Sequence, residues 1–260
     1  MRTVVLSDIH GNQHALDAAL AEVERLGPDR IVVLGDLLSY GPATEAILAR
    51  LSEAAERWPT RWVLGNHDEL YDHLQKGETD YYDGLADWVR ESIGHTFDGL
   101  DVDALRGLPW EREWADEHVL FAHANPWGDW RYLNGADAHA EAASTVVDRG
   151  FRVGVFGHTH RSRLFHMPSR EGADDDHDLR RVLRWDDAAS LVVNAGSIGQ
   201  PRNARRVSTL AVLDTSSDGV DARIVELDYD VQAHLDALRL LPLSDTTRRR
   251  LAAYFTPPRA

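Results

Sequence analysis

Asp8 and His10 stand two residues apart, and so do His158 and His160. On an extended segment, or in the loop that ends it, side chains at i and i+2 can turn toward one centre. Three more polar clusters follow short apolar runs: Gly35-Asp36, Gly65-Asn66-His67-Asp68, and His123. As donors to a cation, Asp8, His10, Asp36, Asn66, His123, His158 and His160 combine carboxylate, amide and imidazole atoms. Mixed oxygen and nitrogen donors suit manganese, iron, zinc, cobalt or nickel, and suit magnesium or calcium poorly. The seven exceed what one ion takes while keeping a position open, and they suffice for two if one carboxylate bridges.

The elements that must position these residues follow a repeated grammar. Apolar runs at 3–6, 31–34, 61–64, 119–122, 153–156 and 191–193 each stop at Gly or polar residues, which reads as buried strands. Helical spacing lies between several of them, at 14–26 (closed by Gly27-Pro28), 44–57 and 138–149 (closed by Gly150). Strand–helix–strand alternation implies parallel pairing with right-handed crossovers. In such sheets ligands bind beyond the carboxyl ends of the strands, where every polar cluster sits. The last third reads differently: successive strands over 163–166, 181–185, 191–193, 207–214 and 221–227, an exposed acidic hairpin loop over 171–178, and helix over 230–252. One α/β domain is expected over 1–252, a mixed sheet first and a more antiparallel sheet packed on it, with a C-terminal tail over 253–260.

The net charge of −15 disfavours a long nucleic acid as partner. A small phosphorylated substrate, a nucleotide among the candidates, would need a local positive centre, which bound metal supplies. The absence of cysteine excludes disulfides, iron–sulfur clusters and thiolate zinc sites. No apolar stretch reaches the length of a membrane span and no signal-peptide pattern precedes the first strand, so no membrane partner and a cytoplasmic location are expected. No pattern assigns an oligomeric state.

Asp8-x-His10, Gly35-Asp36, Gly65-Asn66-His67-Asp68, His123 and Gly157-His158-Thr159-His160 occur in the order found in the calcineurin-like metallophosphoesterases, which this sequence resembles over about residues 1–200. The runs SDIHGN, YGP after Asp36 and NAGSIGQPR look like the compact bacterial branch of phosphodiesterases and phosphatases. The resemblance implies a sandwich of two mixed β-sheets flanked by helices. It implies two divalent ions, manganese first among the candidates. Asp8, His10, Asp36 and His160 would hold one, and Asp36, Asn66, His123 and His158 the other. It implies hydrolysis of phosphate mono- or diesters by a hydroxide bridging the two ions, without a covalent phospho-enzyme. His67 would protonate or stabilise the leaving oxygen, and Asp68 would orient His67, although an Asp at a strand–helix junction is also a common cap. A dinucleoside polyphosphate hydrolase and a phosphoprotein phosphatase stay open. A non-catalytic scaffold of the same fold is the alternative from another class.

Other residues have two readings. Tyr40, Gly41 and the segment 197–202 border the substrate or are ordinary turns. Arg202 contacts a phosphate or is a surface arginine. Trp127, Trp130 and Tyr132 form a stacking wall for a nucleobase or, as aromatics more commonly do, pack. Tyr71, Tyr81, Tyr82 and Trp88 belong to a helical insertion that overhangs the site. His14, His73, His95, His118, His139, His166, His177 and His234 have no motif context and read as surface or packing residues.

Overall fold

A computed structural model describes residues 1–169 and 179–256. The expected hairpin loop at 171–178, His177 and the end of the expected tail lie outside them. In chain order the elements are β1 (Arg2–Leu6), α1 (Gln13–Leu26), β2 (Arg30–Val33), α2 (Thr44–Arg57), β3 (Thr60–Val63), α3 (Asn66–Gln75), α4 (Asp80–Asp83), α5 (Asp87–Asp98), α6 (Val102–Arg106), β4 (Trp110–Glu111), β5 (Glu113–Ala115) and β6 (Val119–Ala122). Then follow α7 (Gly135–Asp148), β7 (Val153–Phe156), β8 (Ser162–Met167), β9 (Arg180–Arg184), β10 (Ser190–Ala195), β11 (Thr209–Thr215), β12 (Gly219–Glu226), α8 (Val231–Arg239) and α9 (Asp245–Ala252).

Two mixed sheets face each other. One runs β4-β3-β2-β1-β11-β12-β9, with β1 to β4 parallel and the other three antiparallel. The second runs β5-β6-β7-β10-β8, with β6, β7 and β10 parallel. The C-terminal strands therefore do not build a sheet of their own. β9, β11 and β12 extend the first sheet through β1, while β8 and β10 complete the second. The expected division into an early mixed sheet and a late antiparallel one is corrected on this point.

Period-two alternation sorts the strand residues into layers. Val4, Leu6, Ile31 and Val33 pack under α1, α2 and α3, whereas Val5, Val32 and Leu34 point between the sheets. On the second sheet Phe121, Val153 and Val155 meet them, while Leu120, Phe156 and Val192 turn to α7. Helix expected over 230–252 divides into α8 and α9, because Pro242 cannot sit in a helix interior. Residues 253–255, expected in the tail, form a 3-10 turn instead, and Phe255 packs edge-on to His234 at 4.7 Å. No helix among the described residues is long and apolar enough to cross a membrane.

His139 and His234 are core residues, both 3 % exposed or less. Burial lowers the pKa of His139 to about 4; the Gly135 carbonyl opposes this and the Arg163 guanidinium adds to it. The unfolded chain then binds a proton that the folded one excludes, so stability is full above pH 6.5 and falls as the pH drops toward 4. His139→Gln should flatten this slope by on the order of 3 kcal/mol between those limits. Urea midpoints at a series of pH values check it, and a slope unchanged by the substitution would refute the assignment.

Candidate metal centre

Every parallel strand of the inner layers ends in a polar turn, and the turns meet at one edge of the sandwich. Asp8 and His10 follow β1, Asp36 follows β2, Asn66 opens α3 after β3, His123 follows β6, and His158 and His160 follow β7. The turns are sewn together by backbone hydrogen bonds: Asp8 N–H to Gly35 C=O at 3.1 Å, His10 to Asp36 at 3.0 Å, and Gly157 to His123 at 2.7 Å. The segment after β10 closes the seam, with Ile198 donating to Ser7 and Gly199 to Asp8. Two glycines are required by proximity. A Cβ on Gly65 would meet Asp36 Oδ1 at 2.2 Å, and one on Gly41 would meet the His10 carbonyl at 2.4 Å. Gly41 is thus buried backbone between ligand turns, as a turn glycine would be.

Two buried clusters of ligand atoms result: Asp8, His10, Asp36 and His160, and Asp36, His123 and His158. Asp36 belongs to both. Its Oδ2 lies 3.7 Å from His10 Nε2 and 3.4 Å from His123 Nε2. Asn66 joins the second cluster, with Oδ1 3.2 Å from His123 Nε2.

The donor set fits divalent cations atom by atom. His10 Nδ1 donates to the Leu38 carbonyl at 2.9 Å and His160 Nδ1 to the Gln200 carbonyl at 2.7 Å. Their Nε2 atoms, 3.1 Å apart, therefore both present lone pairs. Burial and mutual repulsion hold His10 well below its usual pKa; burial and the nearby Arg202 do the same to His160. His123 Nδ1 is tied to the Leu34 carbonyl. His158 uses Nε2 for the Trp130 carbonyl at 2.9 Å, leaving Nδ1 to the centre. Burial alone would lower the His123 pKa, but Asp36 outweighs it and raises the value to about 10. That pull is exerted on the lone pair a cation would take. Asp8 Oδ2 accepts from Ser7 Oγ at 2.5 Å and from the His158 N–H at 3.0 Å, while its Oδ1 is buried without a hydrogen-bond partner. An orphaned carboxylate oxygen among imidazole lone pairs is what cation ligation resolves.

His67 lies beside both clusters. Its Nδ1 is 3.0 Å from Ser39 Oγ, its Nε2 is 3.2 Å from the Tyr40 hydroxyl, and its ring meets that of His10 edge-on at 5.1 Å. Ser39 Oγ in turn shares a 2.5 Å hydrogen bond with Tyr71. Asp68 does not make the expected contact. Its carboxylate accepts the N–H groups of Asp36 at 2.6 Å, Leu37 at 3.0 Å and Gly65 at 3.2 Å. It therefore positions the Asp36 turn, and Ser39 and Tyr40 orient His67 in its place. Burial, with the Asp36 charge, raises the Asp68 pKa to about 7 against the pull of those amides.

Around this centre stand aromatic rings from distant segments. Tyr132 stacks on His158 at 4.1 Å, Trp130 meets His123 edge-on at 5.8 Å, and Trp88 of the insertion stacks on Tyr40 at 5.9 Å. Trp127 instead packs on α7 through Thr145, beneath the Arg131 guanidinium. Ser39 has no signal in the sequence, and Tyr71, expected in the overhanging insertion, is instead a fully buried residue of α3, one helical turn after His67 and on its face. Tyr254, which meets Trp88 at 6.4 Å, had no local signal at all.

The sequence matches the calcineurin-like phosphoesterase superfamily domain over residues 1–218. This chain belongs to that superfamily. It is 28% identical over 236 residues to an uncharacterized protein of Methanocaldococcus jannaschii, covering 88% of each chain. Its fold is similar to that of a metallophosphoesterase from Sphaerobacter thermophilus, with a TM-score of 0.74 and 24% identity over 98% of this chain and all of that one. A hypothetical protein from Pyrococcus horikoshii is similar with the same TM-score at 18% identity, over 96% of this chain and 97% of the other.

Because Asp36 serves both clusters, its loss should remove both ions. Manganese titration followed by metal analysis is expected to give about two ions per chain for the wild type, about one for His160→Ala and close to none for Asp36→Asn. Full loading of Asp36→Asn would show that the carboxylate does not bridge.

Proposed function

We propose that this phosphoesterase-superfamily member hydrolyses phosphate esters of a small phosphorylated compound, using two divalent ions with manganese foremost. The observation that supports it is the pair of clusters sharing Asp36, with imidazole lone pairs and the orphaned Asp8 oxygen converging on them. Asp8, His10, Asp36 and His160 would hold one ion, and Asp36, Asn66, His123 and His158 the other. When bound, the ions supply Lewis acidity toward phosphoryl oxygens and a water acidified enough to attack near neutral pH.

The protein's own groups supply the rest. The carbonyls of Leu38, Leu34 and Gln200 fix three imidazole tautomers, so the ligands need no reorganisation. Ser39 and Tyr40 hold the His67 ring at the edge of the centre, where it can give a proton to the departing oxygen. Burial keeps the Tyr40 phenol protonated, so it offers a hydroxyl and no charge. The motif runs support placement in the compact bacterial branch, and a cytoplasmic location goes with a small phosphorylated metabolite as substrate.

The test is release of nitrophenolate from bis(p-nitrophenyl) phosphate and p-nitrophenyl phosphate by metal-stripped protein, before and after manganese is restored. Activity should appear only with metal. His67→Ala should keep both ions and lose about 100-fold or more in kcat. Silence on both esters with manganese bound would count against hydrolysis.

A further inference from the structure

We propose that Arg202 is a substrate-binding residue of this centre, receiving phosphoryl oxygens beside the metal clusters and favouring a dianionic phosphoryl group over a diester. The proposal rests on the hydrolase reading above for its substrate, and on separate observations for its site. The segment that carries Arg202 is clasped to a metal ligand: the Arg202 N–H donates to the His160 carbonyl at 3.0 Å, and His160 Nδ1 to that of Gln200. The guanidinium is close enough to bear electrostatically on both His67 and His160.

Its described surroundings contain no counter-charge. Among the described residues no carboxylate lies within ion-pairing distance of it, although the chain has 43 acidic residues against 28 Lys and Arg. One terminal nitrogen donates to Gln200 Oε1 at 2.8 Å, and the buried Nε has no hydrogen-bond partner. The guanidinium also hydrogen-bonds the Tyr132 phenol, and the phenols of Tyr40 and Tyr254 stand beside it, with the Tyr254 ring centroid 5.2 Å away. A half-buried permanent cation among neutral groups costs desolvation that an anionic ligand offsets. A planar fork with a spare donor matches phosphoryl oxygens, and lysine does not reproduce it. A positive charge additional to the ions interacts more with two negative charges than with one. The substrate class is therefore a phosphomonoester or a terminal phosphate.

The experiment uses the manganese-loaded full chain with Arg202→Gln and Arg202→Lys. It reads the affinity for inorganic phosphate by calorimetry, KM and kcat on the mono- and bis-nitrophenyl esters, and manganese content. Arg202→Gln should keep both ions, bind phosphate about 30-fold more weakly and raise the monoester KM by a similar factor, with a diester change of about 3-fold or less. Arg202→Lys should recover part of the phosphate affinity. Phosphate binding within about twofold of wild type in Arg202→Gln, equal losses on the two esters, or loss of manganese from both variants would each overturn the proposal. A wild type that cleaves neither ester, yet binds phosphate in an Arg202-dependent way, would sink the hydrolase reading and leave the subsite standing. Hydrolysis indifferent to Arg202 would do the reverse.

Discussion

Two carboxylates and four imidazoles share one buried edge at a desolvation cost that a cation among them would offset. Desolvation alone would drive these groups apart or toward their neutral forms. Here each is held in place by its non-ligating atom: the imidazoles by carbonyls, Asp36 Oδ1 by the His67 amide, Asp8 Oδ2 by Ser7 and the His158 amide. The backbone carries a second cost. Asp8, His10, Asp36, His158 and His160 all have φ between 46° and 64°, in the left-handed region that L-residues avoid by about 1 kcal/mol or more each. These turns are how a strand end aims its side chain inward across the edge instead of along the strand.

Strain of that kind persists only where the surroundings over-determine it. The surroundings are the two sheets. Asp8, His10, Asp36 and Asn66 come from the first, and His123, His158 and His160 from the second, so the spacing between ligand sets is the spacing between sheets. Leu34, Val63, Phe121, Val155 and Val193 fill that interface and are essentially inaccessible. Close packing of this sort resists a change of even one methylene. The core between the sheets is therefore also the gauge of the metal centre.

What was legible in the sequence is what is local. An i, i+2 pair after an apolar run announces a ligand turn, because both the run and the spacing lie within ten residues. Strand pairing across the chain announces nothing: β1 pairs with β11 at a separation of some two hundred residues, and either sheet could have received β9 or β12 on pattern alone. Of the two readings of Asp68, the helix cap holds and the contact with His67 does not, for a related reason. Next to His67 in sequence, it is turned about 100° away on the helix, so its carboxylate meets the Asp36 turn and not the imidazole. Ser39 reaches His67 through the left-handed turn after Asp36, a conformation that no propensity of Ser foretells.

The C-terminal helices carry the argument past the motifs. The superfamily match ends at residue 218, yet Tyr254 lies against Arg202 and Trp88 at the margin of the centre. It is brought there by α9, whose N-cap Ser244 and following Thr247 both bond Glu91 of α5. α5 also carries Trp88, which stacks on Tyr40, and Tyr40 holds His67. The insertion and the C-terminal helices are thus one assembly leaning on the edge that carries the ligand clusters. The sheets set where the ligands stand, and this assembly sets what surrounds them. The rings and the guanidinium that border the ligand clusters accordingly come from segments that the ligand motifs do not include.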